Sequence, residues 1–218
     1  MKAVDVVRQV RKIASALKQA AVWHGSALPV DATKADYLYE LRCYFLAANA
    51  ARKDFVVKHH GSKKSPKHAR WPKKPGKKAN FSFLMLKHKS AAAASYQLCP
   101  GITVTDIHGK GRAPDINLLT GGCSDEPTYA ELLGCWDAKY VSDPKARVPD
   151  TCISDFVYTV EELGGPTPPS HWVAATGVEF ALPGILTNGD QSTETDAALK
   201  KRGVSETSRY PDQPHTRP

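Results

Sequence analysis

The chain has 218 residues, 41% of them apolar and 24% charged, with a formal net charge of +8. These proportions belong to a globular protein and exclude a largely disordered, collagen-like or coiled-coil chain. A chain of this length buries about 70% of its unfolded surface and needs no disulfide or metal to fold. There is no run of about 18 apolar residues to span a membrane. Charges interrupt the opening MKAVDVVRQVRKIASALKQAA every few residues, unlike a signal peptide, so a cytoplasmic protein without membrane association is expected.

Residues 2–22 carry Val4, Val7, Val10, Ile13, Ala14, Leu17 and Ala21 at three- and four-residue spacing, which predicts an amphipathic helix within an N-terminal segment 1–30. Asp31 or Thr33 can cap a second helix over roughly 33–51, with Tyr37, Leu38, Leu41, Tyr44, Phe45 and Ala48 on its apolar face and Glu40 beside that face. Phe81 to Leu86 reads as a short strand. Residues 95–106 read as an extended segment broken at Pro100-Gly101. Residues 112–121 read as a strand entered at Pro114, where a missing N–H is tolerated. ELLGCWDAKYV, 131–141, is a largely apolar strand. Asp150-Thr151 caps a helix striped with Ile153, Phe156, Val157, Val160 and Leu163. HWVAATGVEFAL, 171–182, reads as another strand. From Thr187 the chain is polar and only Ala197 to Arg202 looks helical, so 187–218 is expected to be a loose tail. Three consecutive strands followed by a helix and a strand predict an α/β fold, a mixed central sheet flanked by helices, in a core spanning 31–186.

The positive charge is concentrated. Residues 51–90 hold thirteen Lys and Arg against one acid, Asp54, a local balance of +12, and the other 178 residues sum to −4. The stretch KHHGSKKSPKHARWPKKPGKKANF is too rich in Pro, Gly and Ser for a continuous helix and reads as a basic loop over 58–80. Lys63, Lys64, Lys67, Arg70, Lys73, Lys74, Lys77 and Lys78 would meet phosphates, with Trp71 stacking on unpaired bases. A solvated loop or a localisation signal is the competing reading. The five cysteines form no CxxC pair and read as buried thiols.

Two acids and a lysine stand where a buried strand does not ordinarily put them. Asp137 and Lys139 lie two residues apart, a spacing that turns both toward one face of a strand. Asp115 lies in the preceding strand. If the two strands pair, the two carboxylates meet at one end of the sheet, where they repel unless a cation sits between them. Mg²⁺ (or Mn²⁺) suits a site of few carboxylates plus water and phosphate, to which the Ala138 carbonyl could add an oxygen. Lys139 would face the attacking water or the scissile phosphate. The competing reading is an Asp137–Lys139 ion pair on an exposed edge strand, with Asp115 capping a turn.

Pro114-Asp115 followed by Asp137-Ala138-Lys139 resembles the PD-(D/E)xK nuclease superfamily, with its restriction-endonuclease-like fold. The wording PDI…WDAKY is similar to nuclease subunits of modification-dependent restriction systems and phage-defence nucleases. The resemblance covers roughly 33–182. It implies an αβββαβ core that cuts nucleic acid, DNA above all, with Mg²⁺ or Mn²⁺. Asp115 and Asp137 would bind the metal, Lys139 would orient or activate water, and Glu40, by its place on the first core helix, would join the metal site. A homodimer, or association with a separate recognition or motor subunit, is the partner expectation. The alternative is a non-catalytic nucleic-acid-binding protein that uses the basic 58–80 loop.

Overall fold

The computed structural model describes residues 35–63, 70–72, 74–91, 93–193 and 196–210; the helix expected over 2–22 lies outside them. Helix α1 (Ala35–Ala51) is followed by strands β1 (Phe55–His60), β2 (Phe83–His88) and β3 (Ser95–Pro100). A two-stranded ribbon of β4 (Val104–Thr105) and β5 (Gly111–Arg112) leads into β6 (Ile116–Thr120) and β7 (Leu132–Lys139). Helices α2 (Asp150–Glu162) and α3 (Ser170–Thr176) precede β8 (Gly184–Thr187), and α4 (Asp196–Lys201) precedes β9 (Ser205–Thr207). The main sheet has seven strands in the order β1-β2-β3-β6-β7-β8-β9. Pairing is antiparallel from β1 to β7 and parallel across β7–β8 and β8–β9. The molecule is therefore α/β, with a mostly antiparallel mixed sheet flanked by helices.

Two apolar layers hold it together. On one face, α1 buries Leu38, Tyr39, Leu41, Tyr44 and Phe45 against Leu98, Leu118 and Trp136 of the sheet, joined by Trp172 and Phe180. On the other face, Ile153, Phe156, Val157 and Val160 of α2 pack on Leu119, Cys135 and Ile185. Each such side chain contributes about 1.5–3 kcal/mol when taken fully out of water. Tyr44 carries a polar tip into this core and satisfies it by donating to the Leu98 carbonyl at 2.9 Å. All five cysteines are free thiols, four of them buried. Among the described residues no helix is long and apolar enough to cross a membrane.

Three expectations are corrected. Residues 171–182 are not a strand: Ser170–Thr176 is helical, entered from Pro169 and ended by Gly177 at φ 98°, and a short 3-10 turn, Val178–Phe180, follows. Residues Trp172, Ala175 and Thr176 are buried at three- and four-residue spacing, the period of a helix with one face on the core. Residues 187–210 are not a loose tail. Thr187 ends β8, β9 pairs with β8, and Tyr210 is buried, its carbonyl accepting from the Tyr39 hydroxyl at 2.7 Å. The basic stretch from Lys58 is not all loop, since Lys58 to His60 complete β1, paired with β2. A smaller difference concerns α2, whose N-cap is Pro149; Asp150 is its first residue and accepts from the Thr193 hydroxyl at 2.9 Å.

Candidate active site at the end of β7

β7 is an interior strand, with β6 on one side and β8 on the other, so its charged pair does not lie on an exposed edge. Alternation along β7 sends Trp136 and Ala138 toward the α1 layer. Asp137 and Lys139 share the face of Cys135, toward α2. The register Ile116↔Trp136 sets Asp115, just before β6, across from Asp137. The Pro114-Asp115 turn is pinned on both sides: the Gly101 amide donates to the Asp115 carbonyl at 2.8 Å, and Asn117 Nδ2 donates to the Pro114 carbonyl at 2.8 Å. Beyond β7, Asn188 brackets Val141, accepting from its amide and donating to its carbonyl, each at 2.8 Å. Gly189 allows this join, because a Cβ there would sit 2.3 Å from the Ala146 carbonyl oxygen.

Asp115, Asp137 and Lys139 come together. The Asp115 amide donates to Asp137 Oδ1 at 3.3 Å, and the Ala138 amide donates to Asp115 Oδ2 at 2.9 Å. Lys139 Nζ meets Asp137 Oδ2 at 2.9 Å, with the two side chains 35% and 19% exposed. Asp137 and Lys139 thus share a face as expected and form the ion pair of the competing reading, but on an interior strand, and Asp115 is tied to the neighbouring strand rather than to its own turn. Glu40 enters from α1 and lines, with Asp115, a cleft of about 160 Å³ that Pro72, Lys74 and Pro75 also line.

The electrostatics follow from this crowding. Burial, then the Asp137 and Glu40 charges, push the Asp115 carboxyl well above the usual carboxylate range, against the pull of Lys139 and the Ala138 amide. Glu40 is pushed up to about 7, by burial above all, with Lys139 opposing and Asp137 and Asp36 assisting. Burial works against the Lys139 ammonium, but Asp137 and Asp115 outweigh it and hold its pKa above the ordinary lysine value. Lys139 is therefore a fixed cation, while Glu40 is poised to exchange a proton near neutrality.

Too many negative charges for the space is the condition that a divalent cation relieves. Among the described residues no group of three or more His, Cys, Asp or Glu is gathered to hold a metal ion. Mg²⁺ asks for less, since it binds through one or two carboxylates and completes its shell with water and phosphate. The Asp115–Asp137 pair fits that donor set. In an antiparallel ladder the N–H and C=O of one residue face the same neighbour. The Ala138 carbonyl thus lies on the flank from which its amide reaches Asp115.

The basic segment divides into three groups. Lys63 pairs with Asp125 and Lys77 with Glu126, both at exposed positions. Arg70 and Lys74 are exposed, and Lys74 reaches the cleft. Lys64, Lys67 and Lys73 lie outside the described residues. Two residues depart from the expected phosphate and base contacts. Trp71 is 6% exposed and packs edge-on against Phe45 and tilted against Tyr44, which leaves no face for a base. Lys78 is 3% exposed and its ammonium is spent on interior acceptors. Tyr37, placed by the sequence on the apolar face of α1, packs half-buried against that core and also lines the cleft; its position three residues before Glu40 on the same helix is the signal that marks it.

No family model matches the chain, and no curated protein or solved structure is detectably similar to it.

Proposed function

We propose that this chain is a divalent-metal-dependent nuclease of PD-(D/E)xK type that hydrolyses phosphodiester bonds in DNA. The observation that carries the reading is the contact set of Asp115, Asp137 and Lys139 at the carboxyl end of β7, the end of a strand where open α/β sheets bind ligands. The succession α1, β3, β6, β7, α2, β8, antiparallel up to β7 and parallel to β8, supports an αβββαβ core elaborated by β1, β2 and β9.

Asp115, Asp137 and the Ala138 carbonyl would hold the cation, which when bound supplies Lewis-acid polarisation of the phosphate and a more acidic water. The chain's own groups do the rest. Lys139, kept protonated by its two acidic neighbours, is no base; it stabilises negative charge growing on the phosphate oxygens. Glu40, with its pKa near 7, accepts the proton of the attacking water. Lys74 positions the strand along the cleft.

The test is plasmid cleavage with Mg²⁺ and with EDTA, by the unaltered protein and by Asp137→Ala and Lys139→Ala. Cleavage by the unaltered protein in Mg²⁺ alone, reduced at least about 100-fold in each variant, is expected. Equal cutting by all three proteins overturns the assignment. Binding without cutting by any of them assigns a non-catalytic nucleic-acid-binding role.

A further inference from the structure

Three lysines of the basic segment meet the loop between β6 and β7. Lys63 and Lys77 make exposed ion pairs with Asp125 and Glu126. The third contact differs in kind. Lys78 Nζ, in a side chain 3% exposed, lies 3.0 Å from each of three atoms: Gln97 Oε1, the Cys123 carbonyl oxygen and Cys123 Sγ. The ring of Phe83 stands 5.2 Å beneath it. None of the three acceptors is a carboxylate. Lysine is almost never this buried without an acid partner, because neutral acceptors only partly replace its hydration. An interior amine is thus held against a thiol that is itself buried.

We propose that Lys78 and Cys123 are a modification site, at which oxidation by hydrogen peroxide joins Nζ to Sγ through one inserted oxygen atom. Lys78 first gives its proton to solvent. The neutral amine attacks one peroxide; an N–O bond forms, the O–O bond breaks, and the hydroxylamine and water result. A second peroxide converts the Cys123 thiol to the sulfenic acid, again with loss of water. The hydroxylamine oxygen then attacks the sulfenic sulfur, water leaves, and the N–O–S link closes. One amine, one thiol and two peroxides give the bridge and three waters. The 3.0 Å separation is close to what such a bridge spans, whereas a direct N–S bond would have to drag the two loops together. The bridge is reductant-sensitive and makes covalent one of the three contacts that fasten the basic segment to the β6–β7 loop.

The inference is independent of the nuclease reading and is tested on the full chain, purified under reducing conditions, treated with hydrogen peroxide and analysed by intact mass and peptide mapping. The expected result is a gain of about 14 Da, one oxygen in and two hydrogens out, with a tryptic species joining the peptides of Lys78 and Cys123 that dithiothreitol separates. The gain should be absent in Cys123→Ser and in Lys78→Arg, which keeps a cation at the site. No such gain, a gain that survives either substitution, or a disulfide between Cys123 and the nearby Cys99 overturns the proposal.

Discussion

Asp115 and Asp137 hold each other across the β6–β7 ladder. The amide of the first donates to the carboxylate of the second at 3.3 Å, and the amide that follows Asp137 donates to Asp115 Oδ2 at 2.9 Å. Backbone groups fix both side chains, so neither can swing away to relieve repulsion. Relief comes only from protonation or from a cation, and Lys139 supplies one cation for a cluster of three carboxyl groups.

Stability should therefore fall as the cluster ionises. Glu40 moves from an ordinary 4.5 to about 7 in the folded chain, so the folded form binds the proton more tightly than the unfolded one. A carboxyl raised in this way contributes stability that is complete below its unfolded pKa of about 4.5 and is lost as pH rises through about 7. Asp115 shifts in the same direction. Urea unfolding at pH 5 and pH 8 checks this: the loss of stability between them should be smaller in Glu40→Gln, and an equal loss in both proteins would remove Glu40 as its source.

A divalent cation should reverse that loss at the alkaline end. Binding to the folded state alone stabilises by about 2.7 kcal/mol when the free ion is at about 100 times Kd. Thermal unfolding at pH 8 is expected to shift upward with Mg²⁺ in the unaltered protein and to stay put in Asp115→Asn and Asp137→Asn.

Lys139 is the main opponent of the rise in Glu40. Lys139→Met should push the Glu40 carboxyl still higher, whereas Asp137→Asn should lower it toward the ordinary value without reaching it, because burial is the larger cause. Carbon-detected NMR titration of the glutamate carboxyl reads both directions, and a Glu40 resonance indifferent to both substitutions would break the coupling.

The basic segment should not act as one uniform patch. Lys77 is already paired with Glu126, while Lys74 lines the cleft. Lys74→Gln is expected to weaken DNA binding and to reduce the slope of log K against log salt by about one, with a smaller effect from Lys77→Gln. Slopes measured by anisotropy would contradict this if the two variants matched.

Trp71 should behave as a core residue. Its ring sits against Tyr44 and Phe45, so Trp71→Ala should cost about 3–5 kcal/mol in unfolding free energy. Were the substitution to leave stability intact and abolish DNA binding, the stacking role would return.

The cluster was legible in the sequence because strand periodicity alone brings Asp137 and Lys139 to one face, and an antiparallel neighbour entered at Pro114 brings Asp115 opposite. What the sequence hides is where backbone pairing, rather than side-chain pattern, decides. HWVAATGVEFAL has the β-branched and aromatic content of a strand, yet its burial at Trp172, Ala175 and Thr176 is helical, and Gly177 at φ 98° ends it. The polar 187–210 stretch shows no apolar run, since β9 joins β8 by ladder hydrogen bonds and, among the described residues, its buried apolar anchors Leu199, Val204 and Tyr210 stand far apart, with Ser192 and Glu206 bonded to each other in the interior. Trp71 is hidden for a related reason: a lone aromatic among lysines carries no period, and only the tertiary fold shows that it turns inward.

The short strand β9 has a consequence for the integrity of the sheet. It lies along β8, the strand next to β7, and Tyr210 beyond it is fastened to Thr187 and Tyr39. A chain cut before Ser205 would leave β8 as a bare, largely apolar rim directly beside β7 and its acid cluster. Such a rim invites edge-to-edge association with other copies, so aggregation of the shortened protein would be a failure of capping and not of catalysis.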